Sequence, residues 1–231
     1  MQPVKNKQEL LSALGFSSPE SILCQQALTH SSYVNEHPEE ASYERLEFLG
    51  DAVLSLVSST YLFTNYPEFP EGILTDMRAA LVRTEKLAEI ALELQLGTYG
   101  RFSKGEEHNH GGKNENILAD ILEALLGALY LEEGYSSVNA LFMKYFVPHL
   151  SVILETKSYR DPKTQFQEIV QQKMKITPTY QLVKENRELD EQAFTVAVYV
   201  AGKSLAIGTG KTKKAAESTA AAKAIGILDK K

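Results

Sequence analysis

The stretch Glu44 to Leu54 reads ERLEFLGDAVL and holds three acids among apolar neighbours. Glu44, Glu47 and Asp51 fall at i, i+3 and i+7, so a helix places them on one face. Leu46, Phe48, Leu49, Val53, Leu54, Leu56 and Val57 require burial on most other faces. A second stretch, ENILADILEALLGALYLEEG (115–134), repeats the pattern: Asp120 and Glu123 stand at i, i+3 among Ile117, Leu118, Ile121, Leu122, Leu125 and Leu126. Carboxylates crowded onto buried faces repel one another and lose hydration, and are rarely kept without a cation. Two such helices packed acid to acid would bring Glu47, Asp51, Asp120 and Glu123 together. Uncompensated, each would raise the pKa of the others. Mg²⁺ compensates them, because it takes oxygen ligands and leaves positions for water and a phosphate oxygen. Lowering the pKa of bound water and polarising phosphorus is the chemistry of metal-assisted phosphodiester hydrolysis. Spacing alone leaves a rival open, since one acid pair at i, i+3 is also what a solvated helix face or a cap shows.

The elements that must carry these acids are helices. Segments near 6–14, 20–30, 41–65, 71–96, 114–133 and 136–156 have helical apolar spacing, with breaks at Pro38, at the Pro67/Pro70/Gly72 cluster, in the loop 97–113 and at Gly134. An all-α domain over residues 1–157 follows. Residues 158–161 form a linker, and Pro162 opens a helix at its first turn. Beyond it the pattern changes. Helix 162–174 precedes three runs rich in Thr, Val and Tyr, at Thr179–Lys184, Ala193–Val200 and Lys203–Gly208, which predict strands. An alanine-rich helix, Lys213–Leu228, comes last. Residues 162–231 therefore form a small α-β-β-β-α domain of α+β class, with a polar hairpin loop at 184–192.

Charge divides at the same place. Residues 1–158 carry 11 Lys+Arg and 22 Asp+Glu, a net −11; residues 159–231 carry 13 and 8, a net +5. The basic part can hold a polyanion that the acidic part repels. One cysteine, Cys24, excludes an internal disulfide and a cysteine metal cluster. The leading residues, MQPVKNKQELL, lack an apolar signal core, and the apolar runs fall short of the ~20 residues a membrane span needs. The expectation is a cytoplasmic protein without a membrane partner.

Four motifs in order sharpen this. LTHSSYVNE (28–36), ERLEFLGDAVL, PEGILTDMRAALV (70–82) and ENILADILEALLGALYLEEG resemble the ribonuclease III family, which cuts double-stranded RNA, and the likeness extends over nearly the whole chain. The arrangement resembles the short bacterial form. The resemblance implies metal ligands at Glu47, Asp51, Asp120 and Glu123, with Asp51 and Glu123 the most critical for catalysis. It implies two further acids near the cleavage position, Glu44 and Glu71. It also implies Mg²⁺, with Mn²⁺ as a substitute, and a homodimer in which each centre cuts one strand. The resemblance further implies products with 5′-phosphates, 3′-hydroxyls and short 3′ overhangs, and a cellular task in processing of ribosomal and messenger RNA. Asn116 stands where the family often has Ser.

The C-terminal domain is similar to the double-stranded-RNA-binding domain through DPKTQFQEIVQQK and GTGKTKKAAESTAAAKAI. Such domains contact 2′-hydroxyls across the minor groove and the phosphates between. Thr164, Gln167 and Glu168 share a helix face and can bond sugar hydroxyls. Lys211, Lys213 and Lys214 cluster at a helix N-terminus, where the dipole also favours phosphate. Many family members have Gly-Pro-x-His in the loop between the first two strands. Here Arg187, Glu188, Leu189 and Asp190 stand there. Ionised Asp190 cannot donate a hydrogen bond and repels phosphate, so weaker RNA affinity is expected.

Some features mislead. GTGKT (208–212) ends like a phosphate-binding P-loop, but the glycine that motif needs at 205 is Leu205. His108-Asn109-His110 is a contiguous triplet in a polar loop and makes no metal site. His30 reads as a packing or hydrogen-bonding residue; His37 and His149 carry no signal. The rival function is a non-cleaving RNA-binding protein on the same fold, which has no need for the full acid set.

Overall fold

A computed structural model describes residues 6–185 and 193–228; the loop residues 187–190 lie outside the described residues. The chain divides into two compact units, Met1–Tyr159 and Arg160–Lys231.

The first unit is helical. Its helices are α1 (Lys7–Leu14), α2 (Ile22–Ala27), α3 (Ser31–Glu36), α4 (Glu44–Asn65), α5 (Glu71–Val82), α6 (Thr84–Glu93), α7 (Lys104–His108), α8 (Glu115–Tyr145) and α9 (Val147–Thr156). Side-chain caps start several of them: Asn6 for α1, Ser21 for α2 and Asn114 for α8 each accept a backbone N–H of the first turn. The core is built where α4 and α6 pack on α8, and Leu54, Val57, Leu118, Leu122, Leu125 and Leu126 are fully buried there.

The α4–α8 contact depends on two glycines. A Cβ on Gly50 would lie 1.8 Å from the Glu123 carbonyl oxygen, and one on Gly127 would lie 2.2 Å from the Leu46 carbonyl oxygen. Any side chain at either position would force the helices apart. The two backbones therefore touch at the level of the acids.

The segmentation differs from the periodicity: α3 falls outside the expected helices, and α7 lies within the expected loop 97–113. The helix expected over 71–96 is two helices, because Arg83 is extended (φ −69°, ψ 151°) and lets α6 turn onto α8 while α5 packs on α4 and α9. The segment 136–156 is divided at Phe146, with a 47° bend into α9 and a proline in that helix's first turn. Gly134 does break helical geometry, at φ 77°. By length and composition α4 meets a criterion for crossing a membrane that a core helix also meets, and Glu44, Arg45, Glu47 and Asp51 interrupt its apolar run.

The second unit runs α10 (Pro162–Met174), β1 (Thr179–Glu185), β2 (Phe194–Val200), β3 (Lys203–Gly210) and α11 (Lys213–Leu228). The sheet is antiparallel in the order β1-β2-β3, with Val198 opposite Tyr180 and Ala206. Ala201 and Gly202 both take positive φ (49° and 75°), so a two-residue turn sets the β2–β3 register. Phe166 and Val170 of α10, Val198 of β2, and Ala220, Ala221 and Ala224 of α11 close the core. Gly208 and Gly210 let α11 lie directly on the sheet: a Cβ on Gly208 would fall 2.2 Å from the Ala220 nitrogen. The glycines of GTGKT thus serve packing.

Candidate metal centre and RNA-binding face

Gly50 sits one turn after Glu47, and Gly127 one turn after Glu123, so the close crossing carries the acids of α4 and α8 toward each other. Glu47, Asp120 and Glu123 are half-buried, and one carboxylate oxygen from each lies within 4.8 Å of the other two. Three hard oxygen donors at that spacing, on two rigid helices, fit a divalent cation such as Mg²⁺. Asp51 is exposed at the rim, outside this set of three.

The electrostatics show what the crowding costs. Burial pushes the Glu123 carboxyl up to about 8, and the charges of Asp51, Glu47 and Asp120 add to the shift. Glu47 is also held above the usual carboxylate range, by burial and then by Asp120, Glu44 and Asp51. Asp120 is raised by burial, against the opposing pull of a hydrogen bond from Tyr43 and the charge of His30. Asp51 therefore acts electrostatically on Glu123 although it stands apart from the closest set.

The other expected acids divide. Glu44 is exposed, accepts a hydrogen bond from Ser42 Oγ at 2.8 Å and disfavours ionisation of Glu47. Glu71 starts α5 and accepts a hydrogen bond from Thr75 Oγ1 at 3.0 Å. It lines a groove with Ser59, Leu62, Phe63, Tyr66 and Arg78 at the C-terminal part of α4. At 1.5 Å rise per residue this groove begins roughly 12 Å along α4 from Asp51. Within one chain Glu71 does not join the acid cluster.

Several supporting residues escaped the sequence reading. Tyr43, buried immediately before α4, donates from its hydroxyl to Asp120 Oδ2 at 3.1 Å. Its backbone N–H donates to the Thr29 carbonyl at 2.9 Å, and Arg101 N–H donates to the Leu28 carbonyl at 2.7 Å. The Arg101 guanidinium pairs with Glu40 and lies 4.3 Å over the Tyr33 ring. This strap holds the start of α4 and, through Tyr43, one oxygen of Asp120. The available signals were local: a tyrosine abutting the motif, and a glycine one turn from an acid on each helix.

The histidines sort as follows. His30 Nδ1 accepts the Ser32 N–H at 3.1 Å and caps α3, as its hydrogen-bonding role required. His37 stacks on Tyr33, with ring centroids 4.1 Å apart. His149, without signal in the sequence, lies between Glu89 (3.6 Å) and Glu93 (3.4 Å). Glu89 is also paired with Lys86. His108 ends α7, and neither it nor His110 joins the acid cluster.

In the second unit the α10 face bearing Thr164, Gln167 and Glu168 is exposed, opposite the buried Phe166 and Val170. Asp161 caps the helix, accepting Thr164 N–H at 2.9 Å. Lys211, Lys213 and Lys214 are exposed around the start of α11, where Thr212 Oγ1 accepts the Ala215 N–H at 3.1 Å.

A helical domain with acids paired across two helices, followed by an α-β-β-β-α module with an exposed lysine cluster, defines a nuclease class that acts on duplex RNA. Comparison with known proteins agrees. The Ribonuclease-III-like family model matches residues 20–150, and the double-stranded RNA binding motif matches residues 162–228. Ribonuclease 3 of Enterococcus faecalis is 41% identical over 219 residues, covering 94% of this chain and 95% of its own. Ribonuclease 3 of Pelotomaculum thermopropionicum is 42% identical over 228 residues, covering 97% and 95%. The solved nuclease domain of ribonuclease III from Campylobacter jejuni matches with a TM-score of 0.57 at 39% identity, over 61% of this chain and 96% of that one. The chain belongs to the ribonuclease III family: it is an endoribonuclease whose second unit binds double-stranded RNA.

Proposed function

We propose that the chain is a Mg²⁺-dependent enzyme in which residues 1–157 catalyse and dimerise, 158–161 link, and 162–231 bind the duplex. The supporting observation is the convergence of Glu47, Asp120 and Glu123 within 4.8 Å on crossing helices. Glu47, Asp51, Asp120 and Glu123 would hold the ion, with Mn²⁺ as a substitute. When bound, the ion supplies positive charge that lowers the pKa of water and polarises phosphorus.

The chain's own contribution is to gather and orient. Ionised Glu123 and Glu47 become favourable once their charges are compensated, reversing the upward shifts that burial imposes. Tyr43 donates to Asp120 Oδ2 and so orients the carboxylate that would help hold the ion. Asp51 and Glu123 are the critical catalytic pair, and Glu44 and Glu71 are acids beside the RNA. Hydrolysis adds water across the phosphodiester: the bond from phosphorus to the 3′ oxygen breaks, leaving a 3′-hydroxyl and a 5′-phosphate. Thr164, Gln167 and Glu168 meet sugar hydroxyls, and Lys211, Lys213 and Lys214 meet phosphates.

Two copies working together would cut both strands and leave short 3′ overhangs. An apolar surface supports a homodimer. Phe48 is 80% exposed and Leu131 54% exposed, and both line a cavity with Leu23, Leu46 and Leu49. The Campylobacter jejuni structure is described in terms of a region involved in dimer formation. Sedimentation of the free protein tests this, and a monomer at micromolar concentration would sink it. The proposed setting is the cytoplasm, and the task is processing of ribosomal and messenger RNA.

The experiment is incubation with a long RNA duplex, with and without Mg²⁺, followed by sizing and end analysis. Expected are short duplex products with 5′-phosphates in Mg²⁺ alone. Equal cutting in a chelator would overturn the reading.

A further inference from the structure

We propose that the ion pair between Lys163 and Glu217 is a positioning device for RNA binding. It fixes the spacing between the α10 face and the α11 lysines, and it keeps the Glu217 carboxylate away from those lysines. The inference rests on the reading that Thr164, Gln167 and Glu168 on one side, and Lys211, Lys213 and Lys214 on the other, meet the RNA.

Lys163 precedes Phe166 by three residues and Val170 by seven, so it lies on the core-facing stripe of α10. Its Nζ is 2.6 Å from Glu217 Oε2 of α11, and 4.9 Å from the centroid of the Tyr180 ring of β1. The Glu217 side chain is only 14% exposed. Three elements thus meet at one cation, and the carboxylate it neutralises is largely out of water. Removing that cation would leave a nearly buried charge uncompensated.

Spacing on α11 gives Glu217 other candidates. It follows Lys213 by four residues and Lys214 by three, the separations at which helical acids and bases pair. The carboxylate instead goes to Lys163. Among the described residues, neither Lys213 nor Lys214 has an ion-pair partner. Thr164, the next residue of α10, opens the exposed face. A duplex groove presents its hydroxyls and phosphates at fixed separation. A shift of α10 against α11 would therefore mismatch one contact or the other.

The test uses the full chain and an RNA duplex longer than the roughly 16 base pairs such a domain spans. Binding is titrated in EDTA over a range of monovalent salt, with circular dichroism confirming folding at the assay temperature. Glu217→Gln removes a negative charge near a polyanion site, so electrostatics alone would tighten binding. The positioning role requires the opposite: affinity falls about fivefold with the salt slope unchanged. Lys163→Met should behave alike, and the swap Lys163→Glu with Glu217→Lys should recover most of the affinity. The control Lys213→Ala with Lys214→Ala should lower the salt slope by about two. Binding by Glu217→Gln as tight as or tighter than the parent, with the control slope reduced, would overturn the positioning role alone. A control slope unchanged would overturn the RNA-face reading, and the positioning role with it.

Discussion

The two units hold charge of one sign in opposite ways. In the helical unit, Glu47, Asp120 and Glu123 are drawn together and half-buried, and all three resist ionisation. In the small unit, Lys211, Lys213 and Lys214 are exposed, and the largely covered Glu217 carboxylate near them is paired with Lys163. Desolvated like charges make a site that responds to pH and to cations. Solvated charges make a surface that responds to salt. Chemistry needs the first, because an ion must be bound tightly in one place; tracking a uniform polyanion needs only the second.

Substitutions should separate the two regimes. Glu123→Gln should lower cleavage by about a thousandfold or more while leaving duplex binding in EDTA intact. Retained Mg²⁺-dependent cutting would refute its role. Removing residues 159–231 should weaken duplex affinity by about a hundredfold at physiological salt, since it discards the net +5 part and leaves the net −11 part. Equal binding by the truncated protein would defeat the charge argument. Gly127→Ala should destabilise the first unit by about 3 kcal/mol, measured by chemical denaturation, because the new methyl falls on the Leu46 carbonyl.

The pH response carries a definite sign. The Glu123 carboxyl is raised from 4.5 to about 8 in the folded protein. Its favourable contribution is therefore complete below about 4.5 and is lost as pH rises through about 8. In EDTA the protein should lose about 1–2 kcal/mol across that window, after discounting for partial exposure. Glu123→Gln should flatten the profile, and Mg²⁺ should restore stability at the alkaline end. A pH-independent melting temperature in EDTA would contradict the crowding. The smallest effect is expected at Asp190→His, a gain of about two- to threefold in duplex affinity. No gain in a titration at fixed salt would remove the loop from the account.

Much of this was legible from residue types and spacing. The acids Glu47, Asp120 and Glu123 were visible because carboxylates at i, i+3 on apolar helices are costly unless a cation compensates them. The small unit was read nearly to its ends, because β-branched runs, a proline and an alanine helix each report local preference. The break at Arg83 left no trace, since no glycine or proline marks it; α5 and α6 separate because each has a different partner to pack on. Glu71 was grouped with the site acids by motif, and the fold sets it beside a separate groove.

Local periodicity reports which face of an element is apolar and which residues ride on it, and that decided the helices, the strands and the acid faces. It does not report which faces meet, or how closely. That Gly50 and Gly127 let two backbones touch, that Tyr43 reaches Asp120 across 77 positions of sequence, and that Lys163 rather than a neighbour on its own helix takes Glu217 were decided only in three dimensions. Each is a contact between residues far apart in the chain, chosen by packing and by the need to compensate buried charge.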